Sequence, residues 1–184
     1  MPCYLFTYHG HGTWMPDHQR GYVRRKEGVL ASNARMAVCY RRNMRTEPVY
    51  FDARIQRAMI AALLEALPIQ ETRGHAIATD VAHLHVLVSW ASDRAWEVVR
   101  RQLRGSLTRR LNREFERREW FSKQPSRKRV KDRKLFDYLM EHYLMRHRGL
   151  KWREDRGVFH WRAGDLLDRG YLSPLSSRPS RDQT

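Results

Sequence analysis

Between residues 81 and 90 the chain reads VAHLHVLVSW, and this stretch limits the possible folds more than any other. Successive side chains of a strand point to opposite faces of its sheet. Leu84, Val86, Val88 and Trp90 therefore share one face, which is wholly apolar and must pack against helices. His83, His85 and Leu87 share the other face. Residues 73–80 read as a second strand joined to the first by a tight turn, and Tyr4 to Tyr8 (YLFTY) as a third, aromatic one.

The helices that cover the apolar face are also legible. In residues 52–66 (DARIQRAMIAALLEA), Ile55, Met59, Ala62, Leu63 and Ala66 form one stripe, with Asp52 placed to cap the helix and Pro68 to end it. Residues 93–118 predict a long Arg-rich helix capped by Asp93, with Trp96, Val99, Leu103, Leu107 and Leu111 on its core side. Residues 119–132 read as a further strand or ribbon, and residues 133–147 as a helix ended by Gly149. Residues 22–50 are basic and unpatterned, and read as an irregular connection. The order is strand, helix, strand, strand, helix, strand, helix. That is an α+β pattern, an antiparallel sheet covered by helices. It predicts one domain over residues 1–172, followed by a disordered basic Ser/Pro tail at 173–184.

Charge narrows the partners. Lys and Arg number 36 against 20 acidic residues in a chain of 184, a net charge of +16. A surplus that large sits on the surface and attracts polyanions, and Arg, the commoner of the two here, suits bidentate phosphate contacts. Nucleic acid is the expected partner. No basic amphipathic helix favours a membrane surface, and no long apolar run predicts a membrane span. Two cysteines, Cys3 and Cys39, rule out a disulfide framework or a cysteine zinc site. A cytoplasmic protein associated with the nucleoid is the expectation.

Two imidazoles side by side on an open strand face are what a divalent metal needs from two nitrogen ligands, so His83 and His85 are candidate ligands. Asp80, before the turn, is either a further or supporting ligand or an ordinary turn residue. In the last helix Tyr138 and His142 are four residues apart and share a face. A metal on His83 and His85 can take His142 as a third ligand, with Tyr138 aimed as a nucleophile at a bound phosphate. Tyr143 lies about 140° round an ideal helix from Tyr138 and falls with Phe136 and Met140 on what reads as the core side.

The set AHLHVLV, the long basic helix and YLMEH in a late helix resembles the single-tyrosine HUH transposases. It is most similar to the REP-associated tyrosine transposases and related insertion-sequence transposases. The stretches GTWMPDHQRG and SRKRVKD add to the likeness, which spans most of residues 4–152. The resemblance implies a ferredoxin-like (RRM-like) fold and a Mg²⁺ or Mn²⁺ cofactor held by His83, His85 and His142, where the family commonly has Gln or Asn at the last position. It also implies cleavage and rejoining of single-stranded DNA through a 5′-phosphotyrosine on Tyr138, recognition of hairpin or repeat DNA, and a homodimer.

The candidate DNA-binding residues form two clusters. Arg100, Arg101, Arg104, Arg109 and Arg110 crowd the long helix, and Arg127, Lys128, Arg129 and Lys131 follow it. Arg41, Arg42 and Arg45 offer a third patch, and Trp120 and Phe121 either stack on unpaired bases or pack in the core. Two rival readings remain. One is a non-catalytic basic nucleic-acid-binding module with incidental histidines. The other is a phosphoesterase that uses His9-Gly10-His11 with the second pair as acid and base.

Overall fold

The computed structural model describes residues 1–160 except 20, 25, 26, 45 and 124. The end of the expected domain and the tail at 173–184 lie outside the described residues, as does Arg45.

The strands are β1 (Cys3–His9), β2 (Tyr22–Arg24), β3 (Gly28–Leu30), β4 (Thr72–Thr79), β5 (His83–Trp90), β6 (Ser126–Arg129), β7 (Leu150–Arg153) and β8 (Gly157–His160). The helices are α1 (Ala34–Asn43), α2 (Ala53–Ile69), α3 (Trp96–Glu114) and α4 (Arg133–Tyr138). Six strands make one antiparallel sheet in the order β6-β1-β5-β4-β7-β8. Within it, β1-α2-β4-β5-α3-β6 is the ferredoxin-like path, with strand order β6-β1-β5-β4. β7 and β8 extend the sheet beyond β4. The hairpin β2–β3 and helix α1 are inserted between β1 and α2.

The two faces of the sheet carry two separate cores, and strand alternation assigns residues to each. On one face Tyr4, Phe6 and Tyr8 of β1 and Leu84, Val86, Val88 and Trp90 of β5 pack against α2 and α3 in the larger core. Its rings interlock: Tyr4 stacks on Phe6, Trp90 and Trp96, and Tyr8 meets Phe121 edge-on. On the other face Leu5, Ala76, Ala78 and Leu87 meet Leu139, Met140, Leu144 and Met145 in a smaller core.

The α2 reading holds at its start, where Asp52 accepts the backbone N–H groups of Arg54 and Ile55. Pro68 lies inside the last turn rather than ending the helix before it, and the helix stops one residue later at Ile69; with no N–H, Pro68 forgoes one backbone hydrogen bond there. Asp93 does not cap α3. That helix starts at Trp96 behind Ala95, with no side-chain cap. The connection at 22–50 is not wholly irregular, since it holds β2, β3 and α1. α1 buries only Ala37 among its ten residues, so it lacks the apolar stripe that periodicity detects.

The helix expected at 133–147 changes pitch twice. α4 gives way to a π-helical turn over Leu139–Tyr143 and then to a 3₁₀ turn over Leu144–Arg146. The Leu144 N–H reaches back to the Leu139 carbonyl, five residues away. A π-turn rotates less per residue than an α-helix, so residues five apart lie closer to one face. The 140° offset expected between Tyr138 and Tyr143 on an ideal α-helix therefore does not apply, and both tyrosines line the same cleft.

Candidate active site

The cleft lies over the His83/His85 face of β5 and has a volume of about 880 Å³. Its floor is made by Thr7 and His9 of β1 with His83 and His85 of β5, in register as Thr7↔His85 and His9↔His83. Its walls are the loop after β1 and the segment from Tyr138 to His147.

Among the described residues, His83, His85 and His147 form the one group of three possible ligating side chains whose atoms lie within 4.8 Å of one another. His142 is not part of it; its ring lies 5.8 Å from that of Tyr138. The third histidine at the strand pair is thus His147, whose ring is 4.4 Å from His85 and 4.9 Å from His83. The signal for it is in the sequence: Tyr143 and His147 repeat the four-residue spacing of Tyr138 and His142, five residues further on.

Each ring of this group is held from behind. His85 Nδ1 lies 2.7 Å from Thr7 Oγ1. His147 Nδ1 lies 3.2 Å from His83 Nε2 and 3.6 Å from Asp80 Oδ2. The Nε2 atoms of both His85 and His147 are buried with no hydrogen-bond partner. A buried imidazole nitrogen left bare costs roughly 1–3 kcal/mol, and two side by side are poorly explained as packing. They are well placed as metal ligands backed by an oxygen on the second nitrogen.

Electrostatics favour the same use. Burial, then the neighbouring His147, His83 and His9, hold the His85 imidazole well below its ordinary pKa. Burial also lowers His147, with Asp80 opposing. His9 is pushed down to about 4 by burial, His83 and His18. These rings are therefore neutral at physiological pH, the form that ligates a metal. Burial alone would raise the Asp80 carboxyl, but the Val81 N–H, His83, the Arg148 N–H and His147 outweigh it and its pKa lies below the ordinary value. Asp80 stays anionic behind His147.

The segment carrying His147 is anchored to the opposite core by a buried polar hub. Gln56 of α2 donates to the Phe51 carbonyl and accepts both the Thr79 hydroxyl and the Leu150 N–H. Thr79 Oγ1 is also 2.8 Å from the Leu150 carbonyl. Lys151, fully buried, donates to the carbonyls of His147 and Gly149. Gly149 sits tightly here: an added Cβ would lie 2.5 Å from Gln56 Oε1 and from both Thr79 oxygens.

Both tyrosines border the cleft. Tyr138 is 42% exposed. Tyr143 is half-buried on the smaller core, as its place beside Phe136 and Met140 implied, yet its ring also meets His85 at 5.3 Å and His147 at 5.5 Å.

The basic residues divide. α3 lies across the sheet from the histidines, and several of its guanidiniums are engaged. Arg100 donates to the Pro125 carbonyl, Arg104 to those of Phe121 and Lys123, Arg109 to Ser106, and Arg110 pairs with Glu65 and Glu114. Arg127 lies 3.8 Å over the Trp96 ring. Arg101, Lys128, Arg129 and Lys131 are exposed. Arg41 pairs with Asp17. Arg146, not singled out by the sequence, lines the cleft itself. Trp120 and Phe121 are core residues, 3% and 1% exposed. Of the second histidine pair, His9 joins the cleft floor while His11 turns toward Glu119.

No protein-family model matches the chain, and no curated protein matches it in sequence. Among solved structures, that of a REP-associated tyrosine transposase bound to a REP hairpin is similar over 93% of this chain and 70% of its own, with a TM-score of 0.45 and 8% identity. Likeness at that level places the chain in no family. No helix among the described residues is long and apolar enough to cross a membrane.

Proposed function

We propose that this protein cuts and rejoins single-stranded DNA with a divalent cation held by His83, His85 and His147 and a tyrosine as covalent nucleophile. One observation carries the reading. Two buried imidazole nitrogens without partners stand beside a tyrosine, in an open cleft of a protein with net charge +16.

With the Nδ1 proton of His85 directed at Thr7 Oγ1 and that of His147 at His83 Nε2, beside the Asp80 carboxylate, the Nε2 lone pairs of His85 and His147 are left for the cation. A cation held there would polarise a phosphoryl oxygen and offset charge developing on it. Three imidazoles suit transition ions better than Mg²⁺, which prefers oxygen ligands. Of the two ions expected, Mn²⁺ is the better fit. Arg146 lines the cleft as a phosphate contact, and the exposed Lys128 and Lys131 are further candidate phosphate contacts.

Tyr143 is the favoured nucleophile, because its ring touches two of the three histidines. Its oxygen attacks phosphorus, the phosphorus–3′-oxygen bond breaks, and the phenolic proton is in effect exchanged for one on the departing 3′-hydroxyl. Attack by a second 3′-hydroxyl on the phosphotyrosine reverses the exchange, so one phosphodiester replaces another without an outside energy source. The greater exposure of Tyr138 favours it as the alternative nucleophile, with His142 beside it. The same reading includes hairpin or repeat DNA as the substrate and a dimer as the working form.

The test incubates labelled single-stranded hairpin oligonucleotides with Mn²⁺ and looks for an SDS-stable protein–DNA adduct. We expect the adduct to need metal, to survive Tyr138→Phe and to vanish with Tyr143→Phe. Loss with Tyr138→Phe alone would move the nucleophile to Tyr138. Salt-sensitive binding with no adduct on any oligonucleotide of the pool would favour a non-catalytic binding module.

A further inference from the structure

The loop after β1 carries a tryptophan that core packing does not explain. Trp14 is 37% exposed on the wall of the cleft, although a large indole is usually well buried. Its ring is held in place. It stacks on the His18 imidazole at 4.0 Å and 18°, and lies 4.9 Å from His9 at a tilt of 59°. His9 is in turn 5.7 Å from His83. A line of rings thus runs from the cleft wall to the histidine group.

The loop that presents Trp14 is tied down on several sides. The Gly10 N–H donates to the Ala82 carbonyl, and Thr13 Oγ1 approaches the carbonyls of Gly10 and Ala82. The His18 N–H closes a turn on Met15, and the Asn33 N–H reaches the Pro16 carbonyl. Asp17 pairs with Arg41. An indole fixed in this way loses little freedom when a ligand stacks on it. The lining of the cleft sets one acidic residue, Asp80, against one cation, Arg146, in a protein of net charge +16, so a ligand that joins an anionic phosphate to a flat unpaired ring fits it. A base inside a duplex has both faces covered and cannot use the site. An unpaired base can, and stacking serves any base because every base has a π-face.

We infer that Trp14, backed by His18, is a stacking platform for an unpaired base of the strand whose phosphate enters the histidine group. This makes Trp14 a substrate-positioning residue, and it rests on the proposed single-strand activity. Trp120 and Phe121, which the sequence offered for this role, are buried.

The test measures binding of the full chain to a fluorescein-labelled dT oligonucleotide, which has little self-stacking. A second oligonucleotide of the same length has abasic residues throughout, and both are followed by anisotropy. We expect wild type to prefer the dT strand by about tenfold. Trp14→Ala should reduce that preference to near unity while leaving affinity for the abasic strand unchanged, and Trp14→Phe should keep part of it. His18→Ala, which removes the backing ring, should lower the preference less than Trp14→Ala does, and it gives a second reading should Trp14→Ala fold poorly. Equal preference in wild type, Trp14→Ala and His18→Ala would overturn the inference, as would a wild type that does not distinguish the two strands. If the metal-dependent adduct forms but Trp14→Ala keeps the preference, only the platform falls. If no adduct forms and the preference still depends on Trp14, the platform stands and the enzymatic reading falls.

Discussion

The two faces of the sheet are built on different terms. Against α2 and α3, strand residues at alternate positions are large, apolar and nearly all fully buried, and the few polar groups among them, such as Gln56 and Thr79, are hydrogen-bonded. Against the last helical segment, the same strands present small residues, Ala76 and Ala78, then His85, whose Nε2 is bare like that of the facing His147. The first face supplies stability. The second leaves interactions unmade and holds them in position through the first, since the His147 segment is pinned by Gln56 of α2. A site of unsatisfied groups persists only where the surrounding fold over-determines it.

The sharpest contrast comes from the dry face. Leu63 of α2 is fully buried, and Leu63→Ala should cost about 2–5 kcal/mol, a large part of the roughly 5–15 kcal/mol that holds a domain together. Urea unfolding reads this directly, and a loss below about 1 kcal/mol would show that this core is looser than its packing implies.

Gly149→Ala probes the link between the faces. The new Cβ would meet Gln56 and Thr79 at 2.5 Å, and overpacking of this kind costs about 1–3 kcal/mol. Unlike Leu63→Ala, it should weaken Mn²⁺ binding even under conditions where the chain is fully folded, because it shifts His147. Isothermal titration on the folded variant checks this; unchanged Mn²⁺ affinity would mean that the hub does not position the site.

Thr7→Val changes shape the least. It removes the oxygen behind His85 Nδ1 at nearly constant volume. Loss of such a supporting partner typically costs about 10–100-fold in metal affinity, and we expect that together with a loss of about 1–3 kcal/mol in urea stability, because His85 Nδ1 is left bare. A variant that binds Mn²⁺ as tightly as wild type would show that Thr7 does not orient the ring.

The dry face was readable because its rules are periodic. Val99, Leu103, Leu107 and Leu111 of α3, and the alternation along β5, follow from spacing alone, and with them the antiparallel α+β order. His83 and His85 were readable for the same reason. The third histidine was harder to read: the Tyr143/His147 spacing is in the sequence, but only a departure from the α-helix brings that pair to the strand histidines. A wheel drawn at 100° per residue places Tyr143 away from Tyr138, whereas the π-turn brings them to one cleft and delivers His147 beyond it. Nothing in LMEHYLMRH marks that change of pitch. The short strands β7 and β8 were missed because each has four residues, too few for a period to show. The arginines of α3 were legible as charge, but composition does not reveal which guanidiniums are engaged by nearby carbonyls and carboxylates.

The central claim is that His147, rather than His142, completes the group on His83 and His85. Mn²⁺ titration followed by electron paramagnetic resonance, on wild type, His147→Ala and His142→Ala, tests it most directly. We expect one Mn²⁺ site in wild type, the same site in His142→Ala, and its loss in His147→Ala with the fold intact by circular dichroism. A site that survives His147→Ala and disappears with His142→Ala would contradict the account.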